Sequence, residues 1–158
     1  MFRRDIVRST FEEFVSTSGM ARRSKSWYRR TDETIVVLTL LRLPYGRQYS
    51  LAVGVLLRAL DADENPKEKD CQLRSRFDRL VPSTVEHRLN DLLDLQFPVA
   101  GTDRRDELLG LLRAHLAPLI DVATTLDGLR SDPGRELVRR SAVTDSTARD
   151  LLAGRSVP

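Results

Sequence analysis

The residues best suited to chemistry are few. Cys71 is the one cysteine, and His87 and His115 are the two histidines of the 158-residue chain. Protein zinc sites take three or four side-chain ligands. One cysteine and two distant histidines, without HxxxH or HExxH spacing, do not supply them. A cysteine nucleophile must be a thiolate, stabilised by a base or a positive pole beside it. Alternation puts Cys71 at the start of a strand, in phase with Leu73, Ser75 and Phe77, with Arg74 and Arg76 on the opposite side. That reading makes Cys71 a small buried hydrophobe rather than a catalyst. Asp61, Asp63 and Glu64 lack the ligand order and central glycine of a calcium loop. No GxGxxG, Walker or GxSxG motif occurs. The sequence therefore assigns no catalytic, cofactor-binding or metal-ligating residue and calls for no cofactor.

Arginine is what remains. The chain has 26 Arg and Lys against 23 Asp and Glu, a formal net charge of +3, and lysine occurs only at positions 25, 67 and 69. Residues 1 to 30 carry eight basic and three acidic residues, a local excess of +5. Arg22, Arg23, Lys25, Trp27 and Arg29 are the candidate partner-binding residues. Arg74 and Arg76 join them if their strand faces solvent beside the first strand. Interleaved arginine and aromatic residues on a sheet suit a protein with an acidic face, since Arg, Trp and Tyr supply many interface hot spots. They also suit RNA or single-stranded DNA. The plainer reading is an edge strand protected by charge, with Trp27 packed under the first helix.

These side chains must be held by elements the pattern reveals. Val7, Phe11, Phe14 and Val15 predict a helix over 2–18, stopped by Gly19. The second half of 22–30 alternates as a short edge strand. Thr34 to Leu41 is apolar on both faces, as in a central strand. Pro44-Tyr45-Gly46-Arg47 turns the chain. In the strand from Gln48 to Leu60, Tyr49, Leu51, Val53, Val55 and Leu57 share one face, and Gly54 marks a close approach or a bulge. A polar loop with a charge of −3, Asp61 to Asp70, leads to a strand over 71–80. Helices follow, capped at Ser83 or Thr84 with Glu86, at Thr102, before Pro133, and at Thr144 or Asp145. Pro118 must kink or divide the leucine-rich segment around it.

The fold class is α+β: an antiparallel β-meander of three to four strands, packed by an N-terminal helix and a C-terminal set of helices. The whole chain reads as one domain, with the helix at 2–18, the meander at 25–80 and the helical part at 83–154. One cysteine permits no internal disulfide, and no apolar run is long enough to cross a bilayer. A cytoplasmic location without membrane association is expected. The C-terminal leucines exceed one core-facing stripe, which would allow a homodimer through those helices.

The order of motifs resembles a bacterial family catalogued as domain of unknown function 4304. The stretches carrying the resemblance are Trp27-Tyr28-Arg29 after Gly19, Tyr45-Gly46-Arg47-Gln48-Tyr49, Ala52-Val53-Gly54-Val55 and Cys71-Gln72-Leu73-Arg74-Ser75-Arg76. They cover the first half to two-thirds of the chain. The resemblance implies no activity and transfers no catalytic residue. The first functional expectation is a non-catalytic partner-binding protein of the immunity or accessory type, which small stand-alone bacterial domains of this build suggest by analogy. A nucleic-acid-binding module using residues 22–30 is the second, and an enzyme with an unrecognised site the third.

Overall fold

A computed structural model describes residues 5–154. Asp5 opens the first helix, α1 (Ile6–Ser16), its carboxylate accepting from the Arg8 N–H at 2.8 Å. Positions 2–4 of the predicted helix lie outside the described residues. Val7, Phe11, Phe14 and Val15 are buried, as their spacing requires.

The meander is larger than the sequence pattern indicates. Six antiparallel strands run in chain order: β1 (Ala21–Arg23), β2 (Ser26–Arg30), β3 (Thr34–Arg42), β4 (Tyr49–Leu57), β5 (Leu73–Arg76) and β6 (Ala142–Val143). The expectation of three to four strands misses β1 and β6, which have three and two residues and are too short to show a period. β1 folds onto β2 through a turn at Ser24, whose φ is +57°. β6 arrives from the far end of the chain to pair with β5.

β5 is also shorter than the predicted 71–80 strand. Phe77 turns directly into a helix, α2 (Phe77–Leu80). Cys71 lies before β5, at the end of a 3-10 turn (Glu68–Asp70), so the alternation does not extend back to it. Leu73 and Phe77 enter the main core, whereas Cys71 packs on the opposite face of the sheet with Tyr28, Ile35, Val37 and Leu56. The expected common face for Cys71, Leu73 and Phe77 is therefore corrected.

Helices cover one face of the sheet: α3 (Ser83–Leu93), α4 (Gly101–Leu111), α5 (Ala117–Val122), α6 (Leu126–Arg130), α7 (Asp132–Arg139) and α8 (Ser146–Leu152), together with α1. Trp27, Val36, Leu38, Leu51, Val53, Val55 and Leu73 meet Leu89, Leu108, Leu112, Leu116, Leu129 and Leu137 in one continuous core. The leucine surplus of the C-terminal half is thus used within the fold. Some caps differ from expectation. Pro82 and Ala100 precede α3 and α4 without a side-chain cap, so Ser83, Thr84 and Thr102 do not cap. Ser131 and Asp145 do cap, accepting from Gly134 and Ala148. Around Pro118 the helix is neither cut nor sharply broken. Leu112–Leu116 widens into a π turn, in which Ala117 N–H reaches Leu112 O, and α5 follows with helical backbone throughout. A π turn absorbs the hydrogen bond that proline cannot make.

Candidate open-face site

The other face of the sheet is half covered. The β4–β5 connection folds back over it, and Gly54 makes this approach possible. A Cβ at Gly54 would stand 2.9 Å from Cys71 Sγ and 3.1 Å from Glu68 Cα. The predicted close approach at Gly54 is real, and a loop supplies it. Arg30 fastens the loop: its guanidinium donates to Glu64 O at 2.8 Å and Asn65 Oδ1 at 2.5 Å and lies over the Tyr28 ring. Arg58 pairs with Glu64 at 2.5 Å. Asx turns at Asp61 and Asp63 complete the loop, their carboxylates accepting from the Asp63 and Asn65 N–H groups. This acidic segment is a structural cover. No group of three metal-ligating side chains occurs among the described residues.

The uncovered half is readable strand by strand. The ladders align Arg23 with Ser26, Ser26 with Thr39, Thr39 with Ala52, and Ala52 with Arg76. In an antiparallel sheet directly paired residues share a face. The row therefore begins and ends in arginine, about 19 Å apart at ~4.8 Å per strand, over a floor of small side chains. Ser26 and Thr39 hydrogen-bond each other at 2.7 Å across that floor. At the β5 end the face deepens into a groove of about 510 Å³, lined by Leu41, Ser50, Ala52, Arg74, Arg76, Arg79, Arg140 and Ala142, with Glu68 as its one acidic side chain. Arg76 pairs with Asp78 at 3.3 Å, and Arg140 is held by Glu136 and by Val81 O. Arg74 and Arg79 have no carboxylate partner among the described residues. Arg76 and Arg140 are thus preoriented by neighbouring carboxylates, and Arg74 and Arg79 are not.

The candidate residues separate by face. Arg23, Arg74 and Arg76 share the open face, at its two margins. Arg22 and Arg29 belong to the helix-covered side. The Arg22 guanidinium lies over the Trp27 ring, 5.2 Å from its centroid, and Arg29 pairs with Asp121 at 2.7 Å. Trp27 is buried, edge-on to Phe11 of α1 at 5.1 Å, so it is unavailable to a partner. Lys25 is exposed in the β1–β2 turn. The single patch envisaged around Trp27, Arg29, Arg74 and Arg76 does not form, because β2 and β5 are separated by two strands and the side chains diverge to opposite faces. Arg140 was not foreseeable: it follows β5 by more than sixty residues and reaches the groove only because β6 brings α7 there.

Neither thiol nor histidine adds chemistry. Cys71 is fully buried, and desolvation, with Glu68 and Asp70 nearby, pushes its thiol up to about 12. It is neutral at ordinary pH and donates weakly to Lys67 O at 3.5 Å. His87 is almost fully exposed beside Asp91.

A family model described as Domain of unknown function (DUF4304) matches residues 11–121. The matched stretch begins inside α1 and ends inside α5, so it spans β1 to β5 and the loop over Gly54. No curated protein and no solved structure matches the chain.

Proposed function

The chain belongs to the family of domains of unknown function DUF4304, and from that premise we propose that it is a non-catalytic binding protein whose open sheet face receives an acidic segment of a partner protein. The observation that carries this reading is the groove in which Arg74, Arg76, Arg79 and Arg140 surround a small-residue floor with one acid among them. Guanidinium groups bind carboxylates bidentately, and those on a fixed strand and helix lose little entropy in doing so. Arg23, at the far margin, would meet an acidic residue some four strands away. The grouping favours a protein over single-stranded nucleic acid. Bases need exposed aromatic faces to stack on, whereas Trp27 and Tyr28 of the basic strand are buried, and the exposed Tyr45 belongs to the β3–β4 hairpin rather than to residues 22–30.

The reading is tested by fluorescence anisotropy with a labelled glutamate-rich peptide and a labelled single-stranded oligonucleotide. The peptide should bind the protein and lose at least tenfold in affinity to the R74E/R76E variant, while R22E/K25E leaves it unchanged. Oligonucleotide binding that depends on Arg22 and Lys25 would replace the proposal with the nucleic-acid alternative.

A further inference from the structure

The large exposed apolar side chains of the described residues are Leu41, Leu43, Tyr45 and Phe97, and all lie at one end of the molecule. Tyr45, at the tip of the β3–β4 hairpin, is 85% exposed. Phe97 comes from a different part of the chain, the α3–α4 connection. The two are joined by construction. Leu95 N–H donates to Arg47 O at 3.0 Å, and Gln48 forms a bridge with Asp94. Gly46, with φ of +62°, turns beside the Gln96 amide. Beneath them is Arg104, only 3% exposed, whose guanidinium donates to the carbonyls of Asp91, Leu92, Asp94 and Phe97 at 2.5–3.1 Å. A buried arginine thus fixes the loop that presents Phe97 and receives the hairpin.

This end is continuous with the arginine groove. A hollow of about 190 Å³ beside Leu43, Leu51 and Leu93, also lined by Asp78 and Asn90, shares Ser50 and Arg76 with the groove. The hairpin from Leu41 to Gln48 carries Arg42 and Arg47 and no acid. A second copy docking tip to tip would bring these like charges together, so charge selects a different, acidic occupant.

We infer that the hairpin end is the apolar anchor of the same interface, and that the partner is an acidic segment bearing a large aliphatic or aromatic side chain a few residues from its carboxylates. That side chain enters the hollow beside Leu43 and rests against Tyr45, while the carboxylates engage Arg74 and Arg76. The inference rests on the binding role proposed above and adds the apolar determinant. Aromatic anchors in a preorganised pocket, flanked by arginine, are the usual centre of binding energy.

The test selects dodecapeptides from a random displayed library on the full chain, then measures the winners against variants. Peptides rich in Asp and Glu that also carry Leu, Phe or Trp are expected, with a tenfold or greater loss on both L43S/Y45S and R74E/R76E. Acidic peptides without apolar enrichment, or with affinity unchanged on L43S/Y45S, would overturn the anchor and leave the arginine groove standing. A selection without acidic enrichment would overturn both. Y45A alone, at a site almost wholly in solvent, guards against misfolding and should still weaken binding several-fold. Sedimentation that shows dimers lost on Y45A would assign the end to a second copy and also defeat the inference.

Discussion

Gly54 and Cys71 together close the back of the sheet, and each makes a measurable demand. A methyl at position 54 would sit within 3 Å of the Cys71 sulfur and almost as close to the Glu68 backbone. The sulfur cannot swing away, because Tyr28, Ile35, Val37 and Leu56 enclose it. We expect Gly54→Ala to cost about 2 kcal/mol, in the range of overpacked cores, and to lift the loop enough for a thiol reagent to reach Cys71 faster than in the parent protein. Denaturant unfolding and thiol-labelling rates check both effects, and unchanged labelling would show that the loop yields without opening. The thiol itself titrates. Its folded value is raised to about 12 from an ordinary 9. Below pH 9 both states are neutral and the contribution to stability is fully present. Above it the unfolded thiol ionises while the folded one does not, so stability falls with pH up to about 12, by at most about 1.4 kcal/mol per unit. Urea titrations between pH 8 and 11 should give a shallower decline for Cys71→Ala than for the parent. Equal slopes would mean that the buried thiol contributes nothing to the decline.

Among the elements, the turn after α3 depends on Arg104. Burial lowers the pKa of its guanidinium, with Asp94 opposing that shift, and four carbonyls accept its hydrogen bonds in place of water. Arg104→Met keeps much of the volume and leaves those acceptors unpaired. Each unpaired buried acceptor costs about 1–3 kcal/mol. Partial hydration should limit the total to roughly 3 kcal/mol, with faster hydrogen exchange at Leu95 and Phe97. Hydrogen-exchange mass spectrometry over 94–97 would reveal the change, and protection equal to the parent's would refute this role. Arg104 also marks a limit of sequence reading. Its position on α4 looks like an ordinary charged site among Asp103, Arg105 and Asp106, and its function depends on the path of a distant turn. The long central strands and α1 are legible because their apolar residues repeat with a clear period. β1 and β6 have no room for a period, and β5 gives way to α2 after four residues. The caps at Pro82 and Ala100 escape because proline and alanine offer no oxygen to recognise. Pro118 is correctly flagged as a disturbance, but only the backbone reveals that a π turn absorbs it. At the site, β5 alternation correctly separates Arg74 and Arg76 from Leu73. Trp27 packs under α1 against Phe11, as the plainer reading of the basic strand expects, which removes it from the contact candidates.

At the scale of the molecule, the segment beyond the family match is part of the fold. The matched stretch ends at Asp121, yet Leu129, Leu137, Ala148 and Leu152 from the segment beyond belong to the main core. β6 covers the outer edge of β5, and Thr144 N–H adds a bond to Gln72 O at 3.0 Å. Gln72 in turn completes the β4 ladder through Leu57 N–H. Further back, Thr34 and Thr31 hydroxyls donate to the Ala123 and Thr124 carbonyls at 2.6 Å, fixing where this segment leaves the sheet. The same segment supplies Arg140 to the groove. Stability and the proposed binding face therefore share a dependence on it, and the two can be separated. Ending the chain at residue 125 should expose Val36, Val53, Val55 and Ile120, lose several kcal/mol at ~25 cal/mol per Å² of uncovered apolar area, and produce a protein that binds a hydrophobic dye and lacks a cooperative melt. Arg140→Gln, by contrast, leaves the apolar core untouched. It should shift the melting temperature by only a few degrees while weakening an acidic peptide several-fold. A truncated chain that melts cooperatively would show the terminal helices to be dispensable, and an R140Q protein with parental affinity would remove that arginine from the binding face.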